Sequence, residues 1–321
     1  MADNIHNSPR PVFSVPKHAC NWHLRRGFSA KRYSGPIRMP VGKCARMNSW
    51  PLIVLPALGA CAGVAAWGAV SSTSQLFGPT LHRTPKPSQI ALTFDDGPNP
   101  AQTPQLLELL ERYQTPASFF VIGRFARDCP ELVREIADRG HIVCNHTETH
   151  VNLTWLPPWR IAEELRACQH SILRALGFER DAAPKFMRPP FGYRGPQLWS
   201  AVKNVGLDGV AMWSLKCFDW KPQSAERLIE RLAIIVERNG TISASLKQRP
   251  PAPASSRSAN ADFISRNGGE IVLLHDGDAR KQGSDRHHVL AALEYWLPRW
   301  RDAGFEFVTM NQVAADLLTR A

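Results

Sequence analysis

The chain has 321 residues, 44% of them apolar, which suits one large α/β domain of roughly 200–250 residues with accessory segments. Its formal charge of +11 is uneven: residues 1–50 hold nine Lys or Arg against Asp3 alone, so the remainder is only mildly basic and argues against a nucleic-acid groove. Seven cysteines, odd in number and without a C-x-x-C pair, argue against a disulfide framework or a Cys-type zinc site and read as buried free thiols.

Residues 1–48 are basic, with little periodicity, and read as a disordered cytoplasmic tail. Residues 49–70 carry no charge and are long enough to span a bilayer. The cationic tail before them would stay in the cytoplasm. A transmembrane signal anchor is expected; the alternative is a cleaved signal peptide, with Met39 or Met47 as a later start. Polar Ser71–Ser74 and a Pro-containing linker over 71–87 disfavour a buried core helix. Either export reading puts the domain at 88–318 outside the cytoplasm, in the periplasm or beyond.

Within that domain strands and helices alternate. Strands are expected at 90–94, 117–122, 141–144, 186–188, 209–213, 271–275 and 305–308. Helices are expected at 103–113, 130–139, 158–176, 196–205, 224–238 and 286–303. Repeated strand and helix with short connections reads as a parallel sheet, open or closed. Residues 241–268, rich in Ser and Pro, read as a low-complexity surface insertion.

Thr93-Phe94-Asp95-Asp96-Gly97-Pro98 ends the first of these strands. Two adjacent carboxylates repel, so burying both requires a cation or donors. An ordinary acidic turn is the competing reading, since Asp-Gly-Pro is good turn chemistry anywhere. His146-Thr147-Glu148-Thr149-His150 follows a later strand. Its H-x-x-x-H spacing would place two imidazoles on one face of a helical turn. With an Asp from the first motif it would form a His₂Asp site with open positions, as in catalytic zinc centres. The absence of H-E-x-x-H disfavours a zincin-type protease. Arg188-Pro189-Pro190-Phe191-Gly192, Asp219-Trp220 and Leu273-Leu274-His275-Asp276 also fall near strand ends, where α/β folds place their chemistry.

In this order the five motifs resemble those of the NodB-homology polysaccharide deacetylases, carbohydrate esterase family four, over residues 88–318. The resemblance implies a distorted (β/α)7-type barrel and a divalent metal, zinc first, with cobalt or manganese as alternatives. It implies Asp95 as general base; Asp96, His146 and His150 as metal ligands; and Arg188 as the group holding Asp95. The backbone N–H of Phe191 would help bind the oxyanion, Trp220 and Leu273 would wall the acetyl pocket, and His275 would be the general acid tuned by Asp219. The expected activity is removal of N-acetyl groups from a glycan such as peptidoglycan or a chitin-like oligomer. An O-acetyl (xylan-type) esterase and an inactive carbohydrate-binding module on the same fold are the alternatives. Lys216 stands where many members of the family carry an acid.

Overall fold

The computed structural model describes residues 50–178, 183–238 and 268–319. The chain opens with α1 (Trp50–Val70), β1 (Thr80–Leu81), β2 (Arg83–Thr84), β3 (Gln89–Gly97), α2 (Thr103–Arg112) and β4 (Ala117–Val121). It continues through α3 (Gly123–Asp128), α4 (Pro130–Asp138), β5 (Ile142–Asn145), α5 (Pro158–Ala175), β6 (Phe186–Met187), α6 (Leu198–Asn204), β7 (Gly209–Ala211) and β8 (Leu215–Lys216). It ends with α7 (Ala225–Leu232), α8 (Ile234–Arg238), β9 (Gly269–His275), α9 (His287–Asp302), β10 (Glu306–Phe307) and α10 (Met310–Leu318). The tail at 1–48, and the insertion at 241–268 apart from Gly268, lie outside the described residues.

The strands β9, β3, β4, β5, β6 and β7 run parallel and side by side in that order. The seam between β7 and β9 is bridged by residues 80–84, with β1 parallel to β7 and β2 antiparallel to β9. At the other end of the seam β8 pairs with β9, so the sheet is barrel-like. Residues 80–84, expected in the linker, are therefore part of the sheet.

Strand β3 is buried along its whole length, as its unbroken apolar run requires in a parallel sheet covered on both faces. Alternation divides the core. Ile90, Leu92, Phe94, Phe119, Val121, Val272 and Leu274 face α2, α7 and α9. Ala91, Phe120, Cys144, Met187, Ile271 and Leu273 face the barrel interior. Met310 and Val313 of α10 join this inner cluster, and the Met310 N–H donates to Ser118 Oγ at 3.0 Å, closing the end opposite the motifs. Cys129, Cys144, Cys168 and Cys217 are buried free thiols, as expected, whereas Cys61 of α1 is free and exposed.

Several expectations change. The helix expected at 224–238 is two helices meeting at Ala233, and α3, β8 and α10 are additional elements. Residues 54–67 of α1 are exposed. Among the described residues no helix is long and apolar enough to cross a membrane, so the span expected at 49–70 is not seen.

Candidate active site

Consecutive strand residues normally point to opposite faces, so Asp95 and Asp96 should diverge. They do not, because the β3–β4 register slips there: Asp95 pairs with Phe120 and Gly97 with Val121, leaving Asp96 as an inserted residue with φ 69°. The bulge turns Asp96 toward the same mouth as Asp95. It also needs glycines. A Cβ on Gly277 would collide with the Asp96 carbonyl, and one on Gly97 with the Asp276 carboxylate.

Residues 146–150 form no helical turn, contrary to the spacing argument. Thr147 and His150 both have positive φ, at 67° and 59°. The Thr147 N–H donates to Asn145 Oδ1 at 2.8 Å, and the His150 N–H to Thr147 Oγ1 at 3.0 Å. Carbonyls of Thr147 and Glu148 accept from the first two N–H groups of α3, Gly123 and Arg124. These bonds satisfy the free donors at the start of α3 and take the acceptors a helix over 146–150 would need. Buried Glu148 ties the loop down through Arg127 and Ser171.

This loop brings His146 Nε2 to 3.4 Å and His150 Nε2 to 3.2 Å from Asp96 Oδ1. His146 Nδ1 lies 2.8 Å from the Arg188 carbonyl, which only accepts, so Nδ1 carries the proton and Nε2 presents its lone pair. Asp96 Oδ1 is buried and receives no hydrogen bond. Acceptors converging on one point fit a cation, and Asp96, His146 and His150 are a candidate metal site. Burial lowers the His150 pKa to about 4, leaving a neutral imidazole suited to ligation.

Asp95 and His275 are paired neighbours on β3 and β9. Asp95 Oδ1 accepts from Arg188 Nη1 at 2.7 Å. Arg188 is fully buried, and its other donors reach Thr93 Oγ1 and the carbonyls of Ala211 and Met212. Its guanidinium also lies 4.1 Å from the Phe120 ring centroid, so neither its charge nor its plane is free to move. Across the mouth, Asp219 accepts from the His275 backbone N–H at 2.6 Å and lies 3.0 Å from Nδ1. The Nδ1 proton is thereby committed to Asp219. Burial pulls the His275 pKa down, yet the Asp219 charge and hydrogen bond, joined by Asp96 and Asp95, lift it to about 9.

Asp95, Asp96, His146, His150, Phe191, Trp220, Leu273 and His275 line one cavity of about 570 Å³. Arg188 and Asp219 do not line it; both are fully buried behind Asp95 and His275. Phe191 sits in a tight turn at φ 61°, its ring centroid 4.7 Å from that of His150 in an edge-on contact. Trp220 meets His275 edge to face at 5.3 Å. Sequence reasoning did not single out Tyr193 and Arg280 as lining residues, and it noted Lys216 only as a departure from the family pattern. Tyr193 was within reach, because it lies two residues beyond Phe191 in the same loop.

Residues 82–210 match the family model for polysaccharide deacetylase. A chitooligosaccharide deacetylase of Bradyrhizobium sp. (strain ANU 289) is 31% identical over 230 residues, covering 70% of this chain and 90% of the relative. Among solved structures, the Bc1960 peptidoglycan N-acetylglucosamine deacetylase superposes with TM-score 0.57 at 26% identity, over 73% of this chain and 91% of the other. A family 4 acetyl xylan esterase from Clostridium thermocellum, in complex with a cobalt ion, gives 0.52 at 26% identity, over 70% and 89%. Similarity of this extent, joined to the geometry above, places the chain in the polysaccharide deacetylases, carbohydrate esterase family four.

Proposed function

We propose that the protein hydrolyses N-acetyl groups of a glycan, of the chitin-oligomer or peptidoglycan kind that its relatives' names specify, and releases acetate. One observation carries this reading. A buried carboxylate held by an arginine and a histidine held by a second carboxylate stand side by side on β3 and β9, lining the same cavity as the candidate metal site. Asp95, kept in place by Arg188, accepts the proton of the attacking water. His275, its Nδ1 proton fixed on Asp219, donates the Nε2 proton to the departing amine. Trp220 and Leu273 wall the acetyl group, and the Phe191 backbone N–H contributes a donor for the oxyanion. A divalent ion held by Asp96, His146 and His150 would supply charge to polarise the acetamide carbonyl and acidify water. The two-imidazole, one-carboxylate donor set suits zinc first, then cobalt or manganese.

A binding module on this fold would need neither the base nor the acid, and both are assembled here. Acetate release from N-acetylglucosamine oligomers, peptidoglycan and acetylxylan tests the reading. Release from the first two that stops on chelation and returns with a divalent ion is expected. Acetylxylan alone as substrate would replace it with the O-acetyl esterase, and release insensitive to chelation would remove the metal chemistry. The uncharged run at 49–70 and the basic tail support membrane anchoring through α1, with the catalytic domain in the periplasm or outside the cell. Domain protected from protease in intact cells but cleaved after lysis would reverse that placement for an extracellular domain; for a periplasmic one, accessibility after outer-membrane permeabilisation is the corresponding test.

A further inference from the structure

Lys216 is a cation of the catalytic cavity that no acid answers. The β8–β9 register sets Leu215 opposite Val272 and Lys216 opposite Leu273. Paired residues of parallel strands point the same way, so Lys216 stands beside the leucine that walls the site, and it lines the same cavity. Its ammonium lies 5.1 Å from the Trp220 ring, 5.2 Å from Phe218 and 5.7 Å from Trp213. Aromatic faces attract a cation without neutralising it. Among the described residues no carboxylate lies within ion-pair distance of it. Burial, and then the like charge of Lys221, lower its pKa from the ordinary lysine value, the mark of an ammonium short of water and counter-charge.

Most other charges of the cavity, Arg280 apart, are already paired. Asp95 is bound to Arg188, and Asp96 faces the two imidazoles. Arg286 donates to the Gly277 carbonyl and lies 3.8 Å from Asp278. Arg280, exposed at the cavity, has no acidic side-chain partner among the described residues. The cavity wall therefore offers two cations with unspent charge, one of them held in position by three rings.

We propose that Lys216, with Arg280, recognises a carboxylate of the glycan, so that the preferred acetylated substrate is acidic. This rests on the deacetylase reading and adds its substrate class. The carboxylate has two chemical sources: a lactyl ether on the acetylated sugar, as in N-acetylmuramic acid, or a uronic acid in a neighbouring unit. Both place an anion within a sugar's breadth of the acetamide, and both match a cation adjoining the acetyl pocket.

The test compares kcat/KM for acetate release by the metal-loaded protein on five oligomers. These are a neutral N-acetylglucosamine tetramer, an N-acetylmuramic acid-containing oligomer without peptide, a uronic-acid-containing acetylated oligomer, and the amide forms of both acids. At least one acid is expected to exceed its own amide by tenfold or more, mainly through KM, and the excess should shrink with added salt. The pair that differs identifies the source. Lys216→Gln is expected to erase the acid-over-amide ratio, and Lys216→Arg to retain most of it. Equal rates for acid and amide in both pairs would overturn the proposal while leaving the deacetylase reading intact. So would a Lys216→Gln protein that loses acid and amide turnover by the same factor, since that marks a packing role. Acetate from none of the oligomers would remove both readings.

Discussion

Asp95 and Asp96 are covalent neighbours with different partners, and exchanging either should expose the difference. Asp95 touches Arg188, whereas Asp96 faces the two imidazoles. Asp95→Asn should retain metal and lose about 10²–10⁴ in turnover, the usual worth of a positioned base. Asp96→Ala should lose the metal itself, measured by titration with a divalent ion. Equal metal binding by both variants would refute the division of roles. His275 supplies a pH signature. Its protonated form is the acid, so with a pKa of about 9 it is competent below that value and fails as pH rises through it. The same sign applies to stability: this histidine stabilises the fold fully below about 6.5 and ceases to above about 9. Asp219→Asn removes the charge that lifts the pKa while burial still lowers it. The alkaline limb of the pH–rate profile should then move down by at least one unit, and an unmoved limb would separate Asp219 from the tuning of His275.

At the scale of elements, the site depends on two backbone irregularities, the bulge at Asp96 and the loop at 146–150. The bulge can be tested through Gly277, where an added methyl runs into the Asp96 carbonyl. Gly277→Ala should cost about 1–3 kcal/mol of stability, by overpacking, and weaken metal affinity through displaced Asp96. Unchanged metal affinity in a folded Gly277→Ala protein would show that the bulge tolerates displacement. These irregularities also mark what sequence could and could not convey. The apolar runs of β3 and β9 located Asp95 and His275, whereas His146, Arg188 and Asp219 were found through the order of the motifs. Sequence periodicity has no means of expressing a bulge, and H-x-x-x-H is compatible with a helical turn until tertiary bonds from Gly123 and Arg124 claim its carbonyls. Strands of two residues, such as β1, β2 and β8, are too short to show alternation and exist only through their partners.

At the scale of the whole molecule, a buried arginine that composition hides ties the end of α1 to the barrel. Arg194 is buried, and its Nη1 donates to the Ser74 carbonyl at 3.0 Å, with Nη2 reaching the Gly68 and Ser71 carbonyls. Its own backbone N–H donates to the Ala69 carbonyl at 3.0 Å. A cation at a helix C-terminus satisfies carbonyls that have no partner within the helix. Arg194 lies three residues beyond Phe191, so the loop that lines the catalytic cavity also grips the end of α1. Arg194→Met keeps much of the stem's packing and deletes these donors, leaving buried carbonyls unpaired at about 1–3 kcal/mol each. Amide exchange over residues 68–80 should accelerate at least tenfold in that variant, while β3, β4 and β9 retain their protection. Acceleration spread evenly over the barrel would mean that Arg194 supports the whole fold. No acceleration at all would mean that α1 is held by something other than this guanidinium.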